Sequence, residues 1–338
     1  MRIALDAMGG DFGPEPVVQG AAEAAEQLEG LEIVLVGDRQ QIESCLTAAK
    51  GPAHRLEIFH CSQVIGMDES PVVGLRKKPD SSITRCWELM AGRTVDAVVS
   101  AGNTGAVVGA GLKTRLFLKG VKRPGIAVVL PTLKGPCVLI DVGANVFPKP
   151  EHLFQYGVMG SLYAQHILKI EHPAIAVLNV GEEERKGNEL VRETHALFES
   201  SHLRDRFIGN VEGRDIYRGT SDVIVCDGFV GNVVLKVCEG LAEMVFTVAQ
   251  KEVLGRLSAE RDLARAAFQD IVQRYDYSAF GGAPLLGIDG ICIICHGASG
   301  GLAIRNAIRV AANFADDHLN DLITEELSSS PRPAIAGE

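Results

Sequence analysis

The chain has 338 residues, of which 46% are hydrophobic and 22% charged, and its formal net charge is −10. This length and composition are typical of a globular protein with a large core. The negative charge disfavours nucleic acid and anionic membranes as partners unless positive charge is gathered locally. Aromatic residues make up only 5% of the chain, which argues against a stacking surface for nucleic acid.

The chain contains no run of about 18 apolar residues, so it predicts no membrane span. The N-terminus, MRIALDAMGGD, has a very short apolar run followed by Asp6 and Asp11. This pattern predicts a first strand rather than a signal peptide. We therefore expect a cytoplasmic protein whose eight cysteines stay reduced.

One pattern recurs along the chain: a short apolar strand, a small polar loop containing glycine, and a helix. It appears in RIALDAMGGDFGPEP, VDAVVSAGNTGAVVGAGL, CVLIDVGANVFPKPEHLF, AIAVLNVGEEERKGNELVRET, DVIVCDGFVGNVVLKVCEG and GICIICHGASGGLAIRNAIRVAANF. The alternation predicts an α/β fold, with a Rossmann-like, mainly parallel sheet covered by helices on both faces. Ligands of such sheets bind where the strands end at their carboxyl side, and we expect these polar loops to gather at that edge. Glycine turns and helix N-termini there offer N–H groups to an anion.

Residues 233–278 depart from this pattern and predict a projecting helical hairpin inserted into one catalytic unit of residues 1–327. The apolar residues of the hairpin fall on two helical faces: Leu241, Met244, Val245 and Val248, then Leu263, Ala267, Phe268 and Ile271. Gly255 lies between the two and can end the first helix. Residues 328–338 are expected to form a flexible tail.

The apolar faces of the predicted hairpin need a partner, because isolated amphipathic helices would leave them in water. Packing against the same hairpin of a second subunit predicts a homodimer. The turn of the hairpin would then expose Leu254 and Leu257, which predicts a shallow, peripheral membrane contact. The alternative is that these side chains fold back onto the bundle.

The stretch from Cys292 to His296 spells C-x-x-C-H, the attachment signature of a c-type haem. It lies in an apolar, β-branched run that predicts a buried strand. Residues three apart on a strand face opposite ways, so Cys292 and Cys295 cannot both reach one ligand. We therefore expect no haem and two thiols that behave as small buried hydrophobic groups. No ligand cluster with metal spacing is present either, so we expect no metal and no other cofactor.

The first predicted loop imitates a dinucleotide site, but GGDFGPEP does not match G-x-G-x-x-G. Asp11 would face the pyrophosphate, and Pro14 and Pro16 remove N–H donors from the start of the helix. A nicotinamide dehydrogenase therefore remains only an alternative. No Walker A sequence appears.

A richer set of polar residues follows the predicted strands. The central candidates are Lys186, Asn188, Asp227, Asn232, His296 and Ser299. They offer a cation, amide and hydroxyl donors, a carboxylate and an imidazole, which together can hold phosphate and polarise a carbonyl. The loops add candidate phosphate-binding residues: Gly9, Gly10, Ser100, Asn103, Thr104 and Asn145. Plainer interpretations are a solvated charge for Lys186, helix capping for Asp227 and Asn232, and loop anchoring for His296.

Several segments, in one order, resemble PlsX, the phosphate acyltransferase family of bacterial phospholipid synthesis. They are IALDAMGGDFGP, SAGNTGA, DVGAN, NVGEEERKGNEL, DVIVCDGFVGNVVLK and GGAPLLGIDGICIICHGAS. The resemblance implies a fold like those of isocitrate dehydrogenase and phosphate acetyltransferase. It implies that acyl-[acyl-carrier-protein] and inorganic phosphate give acyl phosphate and free carrier. It also implies that Lys186, Asp227 and Asn232 belong to the site.

The carrier protein implied by the resemblance is strongly acidic, so this acidic chain needs a local basic patch to dock it. The segment from Lys113 to Arg123 contains no acidic residue. Its candidate docking residues are Arg115, Lys119, Lys122 and Arg123, and the plainer interpretation is a solvated helix face. The labile acyl phosphate has a membrane glycerol-3-phosphate acyltransferase as its consumer in the family's pathway. Alternatives are a short-chain acyl-CoA phosphotransferase on the same fold and a non-catalytic adaptor that binds acyl carrier protein.

Overall fold

One sheet runs through the molecule. The computed structural model describes residues 1–48, 55–258, 260–275 and 281–329. The strands of the sheet are β1 (Arg2–Asp6), β2 (Glu32–Gly37), β3 (Leu56–His60), β4 (Ala97–Ser100), β5 (Gly125–Thr132), β6 (Gly135–Ile140), β7 (Ile175–Leu178), β8 (Phe207–Val211), β9 (Val223–Val225), β10 (Ala283–Leu286) and β11 (Ile291–Ile294).

Helices follow most of the strands. They are α1 (Pro14–Gln27), α2 (Arg39–Ala48), α3 (Pro71–Lys77), α4 (Ser82–Ala91), α5 (Thr104–Thr114), α6 (Pro150–His166), α7 (Glu189–Glu199), α8 (Gly228–Arg256), α9 (Arg261–Tyr275), α10 (Gly301–Asp316) and α11 (Leu319–Ser329). The tail expected at 328–338 begins too early, because Ser328 and Ser329 still belong to α11. The rest of that tail lies outside the described residues.

The sheet has the strand order β3-β2-β1-β4-β11-β10-β5-β6-β9-β7-β8. The strands β3, β2, β1, β4 and β11 form one parallel group, and β6, β9, β7 and β8 form another. Between them, β10 is antiparallel to β11 and to β5, and β5 is antiparallel to β6. The mainly parallel α/β sheet predicted from the sequence is therefore confirmed.

The two antiparallel strands have a consequence for the site. Following the directions from β11 through β10 and β5 to β6 takes three reversals, so the two parallel groups run in opposite directions. Their carboxyl ends therefore lie at opposite edges of the sheet. The expectation that all the polar loops gather at one edge is wrong. Such loops meet at one edge only when the number of reversals between their strands is even.

Apolar residues cover both faces of the sheet. Ile293 and Cys295 point into the core shared with α1, α6, α7 and α10, whereas Cys292 and Ile294 point into the core shared with α4 and α5. Cys292 and Cys295 are buried, on opposite faces, as the alternation along a strand predicts. Burial raises the pKa of Cys295 to about 12 and that of Cys292 further. Both thiols are therefore part of the hydrophobic core.

The predicted hairpin corresponds to α8 and α9, which pack against each other. α8 begins at Gly228, five residues earlier than expected, and runs for 29 residues. Residues 276–278 of the hairpin lie outside the described residues, and the assignment of residues 1–327 to one catalytic unit stays a prediction. One stripe of α8 is exposed and apolar: Val233, Val237, Leu241, Met244, Val245 and Val248.

The end of α8 and the residue that follows it differ from the expected exposed tip. Leu254 is only 8% exposed, so its expected exposure is wrong, and Leu257 is half-buried. Val253 is 41% exposed. Leu254 is thus covered by the protein itself, in line with the alternative that the sequence left open.

Candidate active site

A cavity of about 110 Å³ lies against β5, β10 and the end of β11, between the two parallel groups of strands. That space is several times what one water molecule needs. Much of its wall is apolar: Ile126, Val128, Val129, Val142, Leu235 and Ile294. Its polar lining residues are Thr104, Asn232, Lys236, Glu239, His296 and Ser299. An apolar pocket with a few polar groups is the usual form of a small-molecule site.

Helix α8 closes one side of the cavity. Asn232, Leu235, Lys236 and Glu239 line it, and their spacing places them on one face of the helix. The exposed apolar stripe of α8 lies on the opposite face by the same spacing. Asn232 belongs in sequence to the second group of strands, and α8 carries it to the loops of the first. Lys236 and Glu239 did not stand out in the sequence, because charges three residues apart on a helix are common on protein surfaces.

The loop after β11 supplies His296 and Ser299 to the cavity. The backbone N–H of Ala298 donates to Nδ1 of His296 at 3.1 Å. In the neutral ring the proton then lies on Nε2, which becomes a hydrogen-bond donor. The N–H of Ser299 donates to the carbonyl oxygen of His296 at 2.9 Å, so both residues are held in one tight turn.

Two glycines in the loop after β1 allow this loop to approach the backbone of neighbouring loops closely. A Cβ atom on Gly9 would lie 2.6 Å from the backbone nitrogen of Gly102, and one on Gly10 would lie 3.0 Å from the carbonyl oxygen of Gly297. Gly10 also has a φ of 101°, which favours glycine. Neither is among the described residues that line the cavity. They bring the loops after β1, β4 and β11 together instead.

Ser100 lies inside the protein at the end of β4, next to a buried carboxylate that the sequence analysis missed. Its hydroxyl donates to Oδ2 of Asp6 at 2.7 Å and accepts from the N–H of Gly102 at 3.0 Å. Burial raises the pKa of Asp6, and hydrogen bonds from Ser82 and Ser100 oppose that rise. The sequence feature that could have identified Asp6 is its position as an acidic residue at the end of the apolar run RIALD. The Ser100 side chain thus stabilises the loop.

Asn103 and Thr104 start α5 and have different surroundings. Oδ1 of Asn103 accepts from the N–H of Ala106 at 3.0 Å and caps the helix. Its amide nitrogen donates to the carbonyl oxygens of three residues of the loop after β3: Gly66, Met67 and Glu69. Thr104 lines the cavity, and within the described part of the chain its hydroxyl makes no hydrogen bond. Only Thr104 of this pair is free to meet a ligand.

A second buried carboxylate, Asp141, organises the loop after β6. It accepts from the N–H groups of four residues at 2.7–3.1 Å: Ile126, Gly143, Ala144 and Asn145. Burial raises the pKa of Asp141, and these hydrogen bonds lower it. The amide nitrogen of Asn145 donates to the hydroxyl of Tyr156 at 2.7 Å, and its carbonyl oxygen accepts from the N–H of Gly228 at 2.8 Å. Asn145 therefore ties this loop to the start of α8.

Asp227 and Asn188 cap helices in the second group of strands. Oδ1 of Asp227 accepts from the N–H groups of Phe229 and Val230 at 3.0 and 2.9 Å, at the start of α8. Oδ1 of Asn188 accepts from the N–H of Val191 at 2.9 Å, at the start of α7. Neither belongs to the described lining of the cavity.

Lys186 lies in the exposed loop after β7. Its Nζ atom is 2.8 Å from Oε2 of Glu183, and this hydrogen bond raises the pKa of Lys186. Lys186 is also absent from the described lining of the cavity. The structure therefore brings Asn232, His296, Thr104 and Ser299 together, and it leaves Lys186 with Asp227 at the other edge of the sheet.

The basic segment is not a helix face. α5 ends at Thr114, and Arg115 follows with a left-handed φ of 52°. The four candidate docking residues are all exposed: Arg115, Lys119, Lys122 and Arg123. Lys122 forms an ion pair with Glu151 of α6, so the segment has an acidic neighbour in space that its own sequence lacks.

Within the described ranges, no group of three or more His, Cys, Asp or Glu side chains is placed to hold a metal ion. None of the helices described is both long and apolar enough to cross a membrane.

Comparison with known proteins identifies the family to which the chain is similar. Residues 1–322 match the family model of the fatty acid synthesis protein. A phosphate acyltransferase of Heliobacterium modesticaldum is 48% identical over 98% of this chain and 99% of its own length. A phosphate acyltransferase of Nitratidesulfovibrio vulgaris is 46% identical over 97% of this chain and 95% of its own.

Solved structures agree on the fold. A phosphotransacetylase from Streptococcus pyogenes superposes with a TM-score of 0.62 over 94% of both chains, at 17% identity. A branched-chain phosphotransacylase from Enterococcus faecalis superposes with a TM-score of 0.53 over 93% of this chain and 98% of its own, at 15% identity. Identities this low show the fold alone. The near full-length sequence matches carry the assignment: this chain belongs to the PlsX family of phosphate acyltransferases and is an enzyme of the acyltransferase class.

Proposed function

We propose that this enzyme transfers a fatty acyl group from acyl-[acyl-carrier-protein] to inorganic phosphate, and that the acyl phosphate product serves membrane phospholipid synthesis. The observation that carries the proposal is the cavity, which joins an apolar wall to a polar rim. A fatty acyl thioester needs both surfaces, because its chain is apolar and its carbonyl group becomes an oxyanion during attack. The names of the relatives support phosphate as the acceptor.

The reaction needs no covalent intermediate with the enzyme. An oxygen of hydrogen phosphate attacks the thioester carbonyl carbon, a C–O bond forms, and the C–S bond breaks. The sulfur leaves with the bonding electrons and takes the proton that phosphate loses. Because thiols have a pKa near 8.5, the thiolate is already a good leaving group. The enzyme contributes by orienting phosphate and by stabilising the oxyanion.

The rim of the cavity supplies donors for these tasks. We assign Nε2–H of His296 and the hydroxyls of Thr104 and Ser299 to the phosphate and the developing oxyanion, since preorganised donors act most strongly at such charge. The Asn232 amide, on α8, is a further donor beside them. The apolar wall receives the start of the acyl chain.

Lys186 and Asp227, at the other edge of the sheet, each have an atom that could contact a substrate. Among the described contacts, the capping bonds of Asp227 use only its Oδ1 atom, which leaves Oδ2 for a substrate. The ion pair of Lys186 is exposed, so an anion can replace Glu183 at low cost. Their assignment to the reaction stays a prediction, because they lie at the opposite edge of the sheet from the donors that are proposed to hold phosphate.

The direct test is to incubate the enzyme with acyl-carrier-protein thioester and phosphate, and to trap acyl phosphate with hydroxylamine as the hydroxamate. Omission of phosphate is the control for direct thioester aminolysis. Hydroxamate that depends on both substrates supports the proposal. Carrier binding without phosphate-dependent product would instead indicate a non-catalytic adaptor, and product from short-chain acyl-CoA alone would indicate the soluble CoA enzyme.

The proposed assembly is a homodimer at a membrane surface. The exposed apolar stripe of α8 offers a self-complementary face to a second subunit. The end of α8 offers Val253, in its last turn, and Leu257, which follows the helix, to the lipid interface. The basic segment from Lys113 to Arg123 offers positive charge to the acidic carrier protein. A membrane glycerol-3-phosphate acyltransferase is the proposed consumer of the labile acyl phosphate.

A further inference from the structure

The cavity contains one positive and one negative side chain among its described lining residues. Lys236 and Glu239 lie one turn apart on α8, and Nζ of Lys236 is 2.8 Å from Oε2 of Glu239. The Lys236 side chain is 52% exposed and that of Glu239 is 17% exposed. The lysine therefore reaches towards solvent at the cavity, and the glutamate lies deeper beside it.

The direction of the strands separates Lys236 from Lys186. Lys186 follows β7, whose carboxyl end lies at the opposite edge of the sheet from the ends of β4 and β11. Lys236 instead lies on the face of α8 that lines the cavity with Thr104, His296 and Ser299. Of the two lysines, Lys236 is thus the one placed with the neutral donors of the rim.

The chemistry of the rim favours an anion. Hydroxyl groups and an imidazole N–H donate to phosphate oxygens, but neutral donors alone repay little of the cost of removing a multiply charged ion from water. A lysine ammonium group adds charge-assisted hydrogen bonds, which are about twice as strong. It has three donors, and the described ion pair with Glu239 occupies one of them.

We propose that Lys236 binds the inorganic phosphate substrate at the rim of the cavity, where Glu239 occupies one donor of its ammonium group until phosphate arrives. The inference rests on the proposed function, since it assigns a residue to the phosphate of that reaction. Glu239 competes with phosphate for the same ammonium group and repels the anion. Lys236 therefore contributes phosphate affinity, and Glu239 limits it.

The test measures initial rates of acyl phosphate formation against phosphate and against acyl carrier protein for Lys236→Ala, Lys236→Arg and Glu239→Gln. Direct binding of inorganic phosphate is followed in parallel by calorimetry. Lys251→Ala is the matched control, because Lys251 is exposed on the same helix outside the described lining of the cavity. The same constants are measured for Lys186→Ala, so that the effect of removing Lys236 is compared with the effect of removing the lysine at the other edge of the sheet. Thermal unfolding of each variant checks that it is folded.

We expect Lys236→Ala to raise the KM and the Kd for phosphate by about tenfold or more, the effect of one lost charge-assisted hydrogen bond. The KM for acyl carrier protein should change much less. Lys236→Arg should restore most of the affinity, and Glu239→Gln should lower the phosphate KM. A merely structural ion pair would make both alanine and glutamine variants worse in the same direction.

Two results would overturn the inference in different ways. A folded Lys236→Ala enzyme with the phosphate KM of the Lys251→Ala control would remove Lys236 from the phosphate site while leaving the proposed function intact. Failure of the wild type to form acyl phosphate from any thioester would overturn the proposed function, and the inference would fail with it.

Discussion

Single buried carboxylates shape the loops around the cavity. Asp6 and Asp141 each end an apolar strand and use their oxygens to hold the chain that follows. An apolar residue in either place would leave buried N–H or O–H groups without an acceptor, which costs about 1–3 kcal/mol per group. These aspartates stabilise the loops, and the loops in turn position the residues that are proposed to contact substrate.

The raised pKa of Asp6 predicts how its contribution to stability changes with pH. Burial raises this pKa above its ordinary value of 3.8, so between that value and the folded-state pKa the native protein binds more protons than the unfolded chain. Stability from this group is therefore lost as pH rises through that window. The unfolding free energy of the wild type relative to Asp6→Asn should fall as pH increases from below 3.8.

Chemical denaturation of both proteins across this pH range measures the effect, and a carbon NMR titration of Asp6 follows the carboxyl directly. A relative unfolding free energy that rises with pH would show that hydrogen bonds outweigh burial at Asp6.

Asp227 can act both as a cap and in the reaction, and one substitution separates the two roles. Asparagine caps helices about as well as aspartate, so Asp227→Asn should unfold within a few degrees of the wild type. Loss of the carboxylate should nevertheless slow turnover by ~10²-fold or more if Asp227 acts on substrate. Asp227→Ala should lose both turnover and about 0.5–2 kcal/mol of stability. Near-normal turnover in Asp227→Asn would leave this residue as a cap only.

At the scale of elements, α8 decides how the site is assembled. Its N-terminus is capped at one edge of the sheet, and its next turns line the cavity with Asn232 and Lys236. One helix therefore connects two groups of strands whose carboxyl ends lie apart. The other face of α8 leaves an apolar stripe exposed. A partner that packs on this stripe would therefore also affect the position of the residues that line the cavity.

The irregular segment after α5 is the proposed docking element for the carrier protein. Replacing Arg115 and Lys119 with glutamate should raise the KM for acyl carrier protein more than the KM for phosphate, because charge complementarity acts on the large acidic partner. The effect should weaken at high salt. Lys134→Glu is the control, since Lys134 is exposed in the turn between β5 and β6. Equal changes in both constants, or none, would exclude this segment as the dock.

At the scale of the whole molecule, the exposed stripe of α8 predicts a dimer. Charged residues at Leu241 and Val248 would have to be buried in a two-fold bundle, at a high cost in free energy. Leu241→Glu/Val248→Glu should therefore convert a dimer into a monomer, as measured by light scattering after gel filtration. Leu133→Glu is the control, because Leu133 is exposed on the turn between β5 and β6. A wild type that is monomeric at micromolar concentration would contradict the proposed dimer.

The end of α8, with Val253 and Leu257, predicts a weak membrane contact. A dimer would present two such ends, so that the two contacts add by avidity. Because Leu254 is buried, the informative variant is Val253→Glu/Leu257→Glu. It should no longer float with liposomes, while its activity on soluble substrates stays close to that of the wild type. If the wild type itself does not float, or the variant floats equally well, the end of α8 has no role at the membrane.

Local patterns in the sequence determined most of the fold class. Apolar runs alternating with glycine loops and helical periodicity depend on neighbours along the chain, so they predict strands, helices and the parallel sheet. The same local rule placed Cys292 and Cys295 on opposite faces of one strand and so argued against a haem. The family resemblance, carried by several motifs in order, was also readable from the sequence, and its fold and enzyme class are confirmed.

Only the tertiary structure decided how the loops combine. The strands β5 and β10 are apolar segments like the others, and the short connections that make them antiparallel to β6 and β11 are recognised only once the ends of the strands are known. Their reversal nevertheless sends the loops with Lys186 and Asp227 to one edge and those with His296 and Ser299 to the other. The place of Lys236 and the burial of Leu254 depend likewise on what packs across from them. Contacts between residues distant in sequence decide these features, and local sequence patterns do not show which distant residues will pack together.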